Sequence, residues 1–277
     1  QLTYQVAAAW LAFGLDPDEM LFYRQSDIPE IFELNWILSC FTAKGLMNRA
    51  HAYKAAVDAN REAGEDEDAG VDMGLYTYPV LMAADILMFK ADMVPVGEDQ
   101  IQHVEIARDV AGRFNHTYDV EAFAMPEHRV KEATGSIPGL DGRKMSNSYG
   151  NYIPLFADSE DLKDYCFQIE TDSSPREAPK EPEGSVVFEL YEAFATEEEA
   201  EDLAGRLREG IGWGDAKLEL HEMLDAKLQG PRARYNELMD DPAQIDAILG
   251  DGAERARQIA GPFIDELRQI TGIDRRG

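Results

Sequence analysis

A carboxylate set among apolar side chains is the first place where this chain could do chemistry. In Tyr78-Pro79-Val80-Leu81-Met82-Ala83-Ala84-Asp85, Met82 and Asp85 are three residues apart and share a face if the segment is helical. Asp85 sits among Leu81, Met82, Ile86, Leu87 and Met88, where an ionised carboxylate is costly unless hydrogen bonds reach it. Two arrangements would satisfy it. One is an ordinary internal bond from a neighbouring backbone amide or an arginine; the other is a bond from the N–H of a buried ligand. An indole N–H only donates and so suits an acceptor in an apolar pocket, while a ligand lacking that N–H would strand the acceptor and be rejected. A second candidate is Gly97-Glu98-Asp99-Gln100, where a strand signal gives way to a helix signal. Gly97 permits close backbone approach, and the unpaired N–H groups of the helix N-terminus can seat an anion. A plain strand-to-helix turn capped by Asp99 accounts for the same residues equally well.

These residues need elements to hold them. Gln1–Phe13 is expected to form a helix, with Val6, Trp10 and Phe13 on one stripe and Gly14 as its stop. Met20–Arg24 reads as a strand, Ile31–Phe41 and Leu46–Asn60 as helices, and Arg61–Asp72 as an acidic loop. Pro79 fits the first turn of a helix over Val80–Lys90, and Met93–Val96 is a short β-branched strand. Ile101, Val104, Ala107, Val110, Ala111 and Phe114 then recur at helical spacing. Alternating strands and helices point to a parallel α/β layer. After Asn151 the strand signals stop. Thr171–Gly184 is turn-rich, and helices are expected over Val186–Ala195, from a Thr196-x-x-Glu199 capping box, and over Ala216–Leu228, Arg232–Met239 and Glu254–Ile270.

Composition limits the options. The 277 residues suffice for two domains with separate cores. No apolar run reaches the roughly 18–20 residues a membrane helix needs, no basic segment precedes the apolar N-terminus as in a secretory signal, and Cys40 and Cys166 stand far apart. A soluble, cytoplasmic chain without a disulfide framework or a protein-bound metal is expected. Its 54 acidic and 26 basic residues leave a net charge of −28. That charge repels polyanions at long range, so contact with nucleic acid must rest on local basic patches. A solvated acidic surface explains the imbalance, and adaptation to a salty medium would do so too.

The most specific stretch is Gly135 to Asn151, GSIPGLDGRKMSNSYGN, in which Lys144-Met145-Ser146-Asn147-Ser148 differs by one residue from the KMSKS loop of class I aminoacyl-tRNA synthetases. Taken with Leu75 to Asn115, LYTYPVLMAADILMFKADMVPVGEDQIQHVEIARDVAGRFN, it makes the chain resemble the bacterial tryptophanyl-tRNA synthetases over nearly its whole length. The resemblance implies an α/β fold: a Rossmann-like nucleotide-binding domain over 1–155, then an all-helical anticodon-binding domain over 156–277. It also implies a His-x-Gly-His element after the first strand. None of His51, His103, His116, His128 and His221 has that context, so the opening strands and their ATP loop are expected to lie outside this sequence.

Residue roles follow from the same resemblance. Asp85 would read the indole of L-tryptophan, with Met82, Val94 and Val96 lining its pocket, Tyr78 near the substrate amine and Gln100 at its polar end. Gly97, Glu98 and Asp99 would touch the adenosine of ATP, as would the backbone of Ile137. His103, one turn on, is a surface histidine or a site residue. Lys144, Met145, Ser146, Asn147 and Ser148 would serve the ATP phosphates, with Lys144 and Asn147 at the catalytic positions. Asn147 replaces the family's second lysine. One cation aimed at the developing charge is thereby lost, a change worth a few kcal/mol, or about two to three orders of magnitude in rate. Lys144 and Arg143 remain to compensate. Mg2+ is expected as the companion of ATP, tRNA(Trp) as acceptor, and a homodimer with Phe41–Tyr53 at its interface. Arg206, Arg208, Arg232, Arg234, Arg255 and Arg257 are candidates for tRNA contacts. The rival readings are a tyrosyl-tRNA synthetase and a non-catalytic paralogue or fragment that binds tryptophan or tRNA.

Overall fold

The computed structural model describes residues 1–130, 137–146 and 148–273. In chain order the elements are α1 (Leu2–Ala12), α2 (Pro29–Phe41), α3 (Lys44–Met47), α4 (His51–Ala63), α5 (Met73–Met88), β1 (Met93–Val96), α6 (Ile101–Tyr118), β2 (Glu127–Val130), α7 (Ser159–Gln168), α8 (Val186–Glu192), α9 (Glu197–Glu209), α10 (Trp213–Asp240) and α11 (Pro242–Thr271). Packing groups them into two compact units. One joins Gln1–Asp16 to Ala133–Asp246, and the other joins Pro17–Glu132 to Ala247–Gly277.

The unit containing Pro17–Glu132 holds the sheet. β1 and β2 run parallel, with Met93 opposite Glu127 and Val96 opposite Val130, and α6 makes the crossover that a parallel pair requires. Ile28, Ile31, Leu34, Leu38, Leu87, Met88, Ile106 and Phe114 are fully buried in its core. β2 has the sequence EHRV, is mostly exposed, and was not legible as a strand. It exists because β1 offers it a ladder, not because its side chains prefer a pleated surface.

The other unit is helical, as expected beyond Asn151. Leu162, Cys166, Ile169, Leu190, Leu203, Leu207 and Leu220 form its core. The anticipated capping box is present. Glu199 N–H donates to Thr196 Oγ1 at 3.3 Å, and Thr196 N–H donates to Glu199 Oε2 at 2.8 Å.

Several expectations differ in detail. Met20–Arg24 is not a strand. Its backbone at Phe22 lies against Gly252 on α11, where any side chain on residue 252 would collide with the Phe22 carbonyl, so the segment lies along a helix and not in a ladder. The helix anticipated over Leu46–Asn60 breaks between α3 and α4, because the Gln102 side chain takes over the backbone there. Its Nε2 donates to the Arg49 carbonyl at 3.0 Å, and its Oε1 accepts from His51 N–H at 2.8 Å. Pro79 lies inside α5 and not in its first turn, since Asp72 starts the helix earlier by accepting from Leu75 N–H at 2.9 Å. Likewise Pro231 lies within a continuous α10 that merges two anticipated helices.

Candidate active site

Tyr78, Met82 and Asp85 fall on one face of α5, spaced four and three residues apart. All three are half-buried. The partner of Asp85 is neither a backbone amide nor an arginine: Gln25 Nε2 donates to Asp85 Oδ2 at 2.7 Å across 60 residues of sequence. Burial raises the Asp85 carboxyl above its ordinary range, and the Gln25 bond opposes that shift. Tyr23 stands in the same field, its phenol pushed up to about 12 by burial and by the Asp85 charge. Sequence reasoning missed both Gln25 and Tyr23, and neither belongs to a motif that could have pointed to them.

Met82, Val94 and Val96 all border the same apolar core, as does Tyr23. Val94 and Val96 alternate with exposed Met93 and Pro95, which puts both valines on the covered face of β1. The Tyr78 hydroxyl meets His103 Nε2 at 2.9 Å. His103 is only 3% exposed, and burial holds its imidazole below the ordinary range. It is not the surface histidine that was one of its two readings.

The turn after β1 takes a definite form. Gly97 is extended, at φ −72° and ψ 162°, and Glu98–Gln100 form one turn of 3-10 helix before α6. Asp99 does not cap α6. Its carboxylate accepts from Gln100 Nε2 at 2.9 Å, and no side-chain cap closes the helix start. Gly97, Glu98 and Asp99 are exposed.

The loop residues belong to the other compact unit. Ile137 accepts from Met145 N–H at 3.1 Å, and Pro138 pairs with Lys144 in an isolated antiparallel bridge. Met145 packs against that unit's core, which leaves Lys144 exposed. Ser148 N–H donates to Ser146 Oγ at 3.2 Å. Asn147 lies outside the described residues. Arg143, expected to compensate for it, is engaged elsewhere: its Nε donates to Asp141 Oδ2 at 2.7 Å and its guanidinium lies 4.4 Å from the centre of the Tyr149 ring. Lys144 has no ion-pair partner among the described residues and is the cation left available. Met82, Val94 and Val96 thus border one core, in the unit that also holds Tyr78, Asp85 and Gly97 to Gln100, whereas Ile137 to Ser146 and Ser148 belong to the other unit.

The arginines proposed for tRNA are largely committed to carboxylates. Arg206 pairs with Glu219, Arg208 with Glu183, Arg232 with Asp225, Arg234 with Glu237 and Arg255 with Asp251, whereas Arg257 is exposed and has no ion pair among the described residues.

Residues 1–229 match the family described as tRNA synthetases class I (W and Y). The chain is 56% identical over 272 residues to the tryptophan–tRNA ligase of Xanthomonas axonopodis pv. citri, covering 98% of this chain and 63% of that protein. It is 55% identical over 274 residues to the tryptophan–tRNA ligase of Neisseria meningitidis serogroup A, covering 99% and 81%. The crystal structure of the Campylobacter jejuni tryptophanyl-tRNA synthetase complexed with ADP and tryptophan superposes with a TM-score of 0.88 at 42% identity, covering 97% of this chain and 82% of that one. The chain spans less than two thirds of the Xanthomonas protein's length. Motif, fold and relatives agree: this chain belongs to the class I tRNA synthetases of the tryptophan and tyrosine family, with the relatives named here on its tryptophanyl side.

Proposed function

We propose that the chain is part of a tryptophan–tRNA ligase and contributes its tryptophan pocket and its phosphate loop. The observation that carries this reading is Asp85, a half-buried carboxylate on a largely apolar helix, whose donor among the described residues is Gln25. A carboxylate has acceptor capacity beyond one such bond, and an indole N–H is a donor that needs nothing in return. Met82, Val94 and Val96 supply apolar walls of the kind an indole ring needs, whereas a phenol would ask for polar groups that serve an O–H. That favours tryptophan over tyrosine.

In the reaction, a carboxylate oxygen of tryptophan attacks the α-phosphorus of ATP. The bond to the bridging oxygen breaks, and pyrophosphate leaves to give tryptophanyl-adenylate. A hydroxyl of the tRNA(Trp) terminus then attacks the acyl carbon and AMP leaves. Tyr78 and Gln100 hold the amine and the polar end of the substrate. Gly97, Glu98, Asp99 and Ile137 attend the adenosine, and Lys144 to Ser148 the phosphates, where charge placed on the departing pyrophosphate lowers the barrier. Mg2+ arrives with ATP as part of the substrate. Residues 1–155 carry activation and 156–277 anticodon binding, in a cytoplasmic homodimer whose interface includes Phe41–Tyr53. No helix among the described residues is long and apolar enough to cross a membrane.

Asn147 in the second lysine position is the observation that favours the rival, a chain that binds tryptophan without activating it. Tryptophan-dependent exchange of pyrophosphate into ATP decides between them when measured on this chain and on the complete gene product. Exchange in either supports the ligase. Tryptophan binding with no exchange in both overturns it.

A further inference from the structure

Asn151 is a buried polar residue just beyond the loop, only 4% exposed, and neither the motif nor the proposed chemistry assigns it a role. Its side chain is fully used. Oδ1 accepts from Ser146 N–H at 2.8 Å, and Nδ2 donates to Asp141 Oδ1 at 2.7 Å and to the Lys144 carbonyl at 3.3 Å. Its own carbonyl accepts from Leu140 N–H at 2.9 Å. One amide thus ties the residues on either side of Met145 to the turn before them. Gly139 makes this possible, because a Cβ at that position would run into the Asn151 amide group.

The surrounding bonds brace the same stem. Asp141 accepts from Arg143 N–H at 3.1 Å and from its guanidinium, which in turn lies over Tyr149 on the far side of the loop. Lys144 itself stays exposed, with its backbone pinned by the Pro138 bridge and by Asn151. A cation that must meet charge developing on a phosphate gains from a stem that does not have to be ordered during the reaction. We propose that Asn151 is a positioning residue, which sets the stance of Lys144 by holding the Lys144 carbonyl and the Ser146 amide from one buried side chain. The proposal deepens the reading of 144–148 as a phosphate loop and rests on it.

Two measurements test it separately. The first is hydrogen exchange at the Ser146 amide of the whole chain, which requires no activity. Asn151→Ala is expected to speed that exchange at least tenfold, and unchanged exchange would overturn the proposal. The second is pyrophosphate exchange in the complete protein with ATP and tryptophan each varied. Asn151→Asp keeps an acceptor for Ser146 but loses both donors and faces Asp141 with a like charge. It is expected to lower kcat for exchange at least tenfold while the KM for tryptophan stays within twofold. Adding Asp141→Asn restores a donor–acceptor pair with reversed polarity and should recover at least threefold. Equal losses in kcat and in tryptophan binding, or no recovery in the double variant, would mark Asn151 as merely structural and overturn its positioning role. If the parent protein shows no exchange activity, the functional reading fails, and Ser146 protection alone then decides whether Asn151 holds the loop.

Discussion

The Asp85 face of α5 and the loop residues around Lys144 are built from opposite materials. Around Asp85 the surroundings are apolar and drawn from distant parts of the chain, and its hydrogen-bond donor Gln25 comes from 60 residues away. Around Lys144 the bonds are polar and local: Asp141, Arg143, Ser146 and Asn151 lie within ten residues of one another. A site that must recognise an apolar ring by excluding water has to be assembled from a core, which only long-range packing supplies. A site that must offer a charge to phosphates has to remain in water, so it needs only a stiff stem, which hydrogen bonds inside one short segment can make.

The contrast can be broken from the loop side first. Lys144→Ala removes the cation that remains available, and tryptophan-dependent pyrophosphate exchange should fall by about two to three orders of magnitude. Tryptophan affinity, measured by calorimetry, should not change, because the pocket shares none of the loop's bonds. A matching loss of tryptophan binding would show that the two regions are not separable in this way.

From the pocket side, Asp85→Ala should weaken tryptophan binding by about 1.5–3 kcal/mol, the usual worth of a hydrogen bond to a charged group, or roughly 10- to 150-fold in Kd. ATP affinity should stay within a factor of two. The pH dependence has a definite sign. With its folded pKa raised above the unfolded value, Asp85 binds its proton more readily in the folded chain, so folding stability is greatest below the unfolded pKa and declines as pH rises through the window up to the raised value. Denaturant titrations of the parent and of Asp85→Asn across that window should converge at low pH, the variant being the more stable above it.

The smallest effect expected is a titration. Asp141 is held down to about 2, first by the Asn151 bond and then by Arg143. Its contribution to stability is present above the unfolded carboxylate range and is lost as pH falls through the folded value near 2. In Asn151→Ala the carboxyl should move back toward the ordinary range when followed by carboxyl NMR, and an Asp141 pKa that stays put would remove Asn151 from the list of its causes.

Legibility in the sequence tracked this same contrast. The loop motif was legible because it is a contiguous string, whereas the contacts of Arg143 with Asp141 and Tyr149 were not. The proposed pocket was legible in its elements, α5 and β1, where periodicity and β-branching speak for themselves. It was not readable at Gln25 or at His103, whose burial depends on how α6 packs against α5. Met20–Arg24 failed as a strand for a related reason. Its residues suit a pleated surface, yet the surface it meets is a helix bearing Gly252.

By itself the sequence determined the family, strand β1 and the helix that follows it, the helical character beyond Asn151, and the residues on one face of α5, because each follows from local spacing or from a contiguous motif. Tertiary structure alone decided that Gln25 partners Asp85, that His103 is buried against Tyr78, that β2 exists, and that Asn151 ties down the loop. Those are matters of desolvation and pairing between groups, and a group's environment is set by whatever the rest of the chain brings against it.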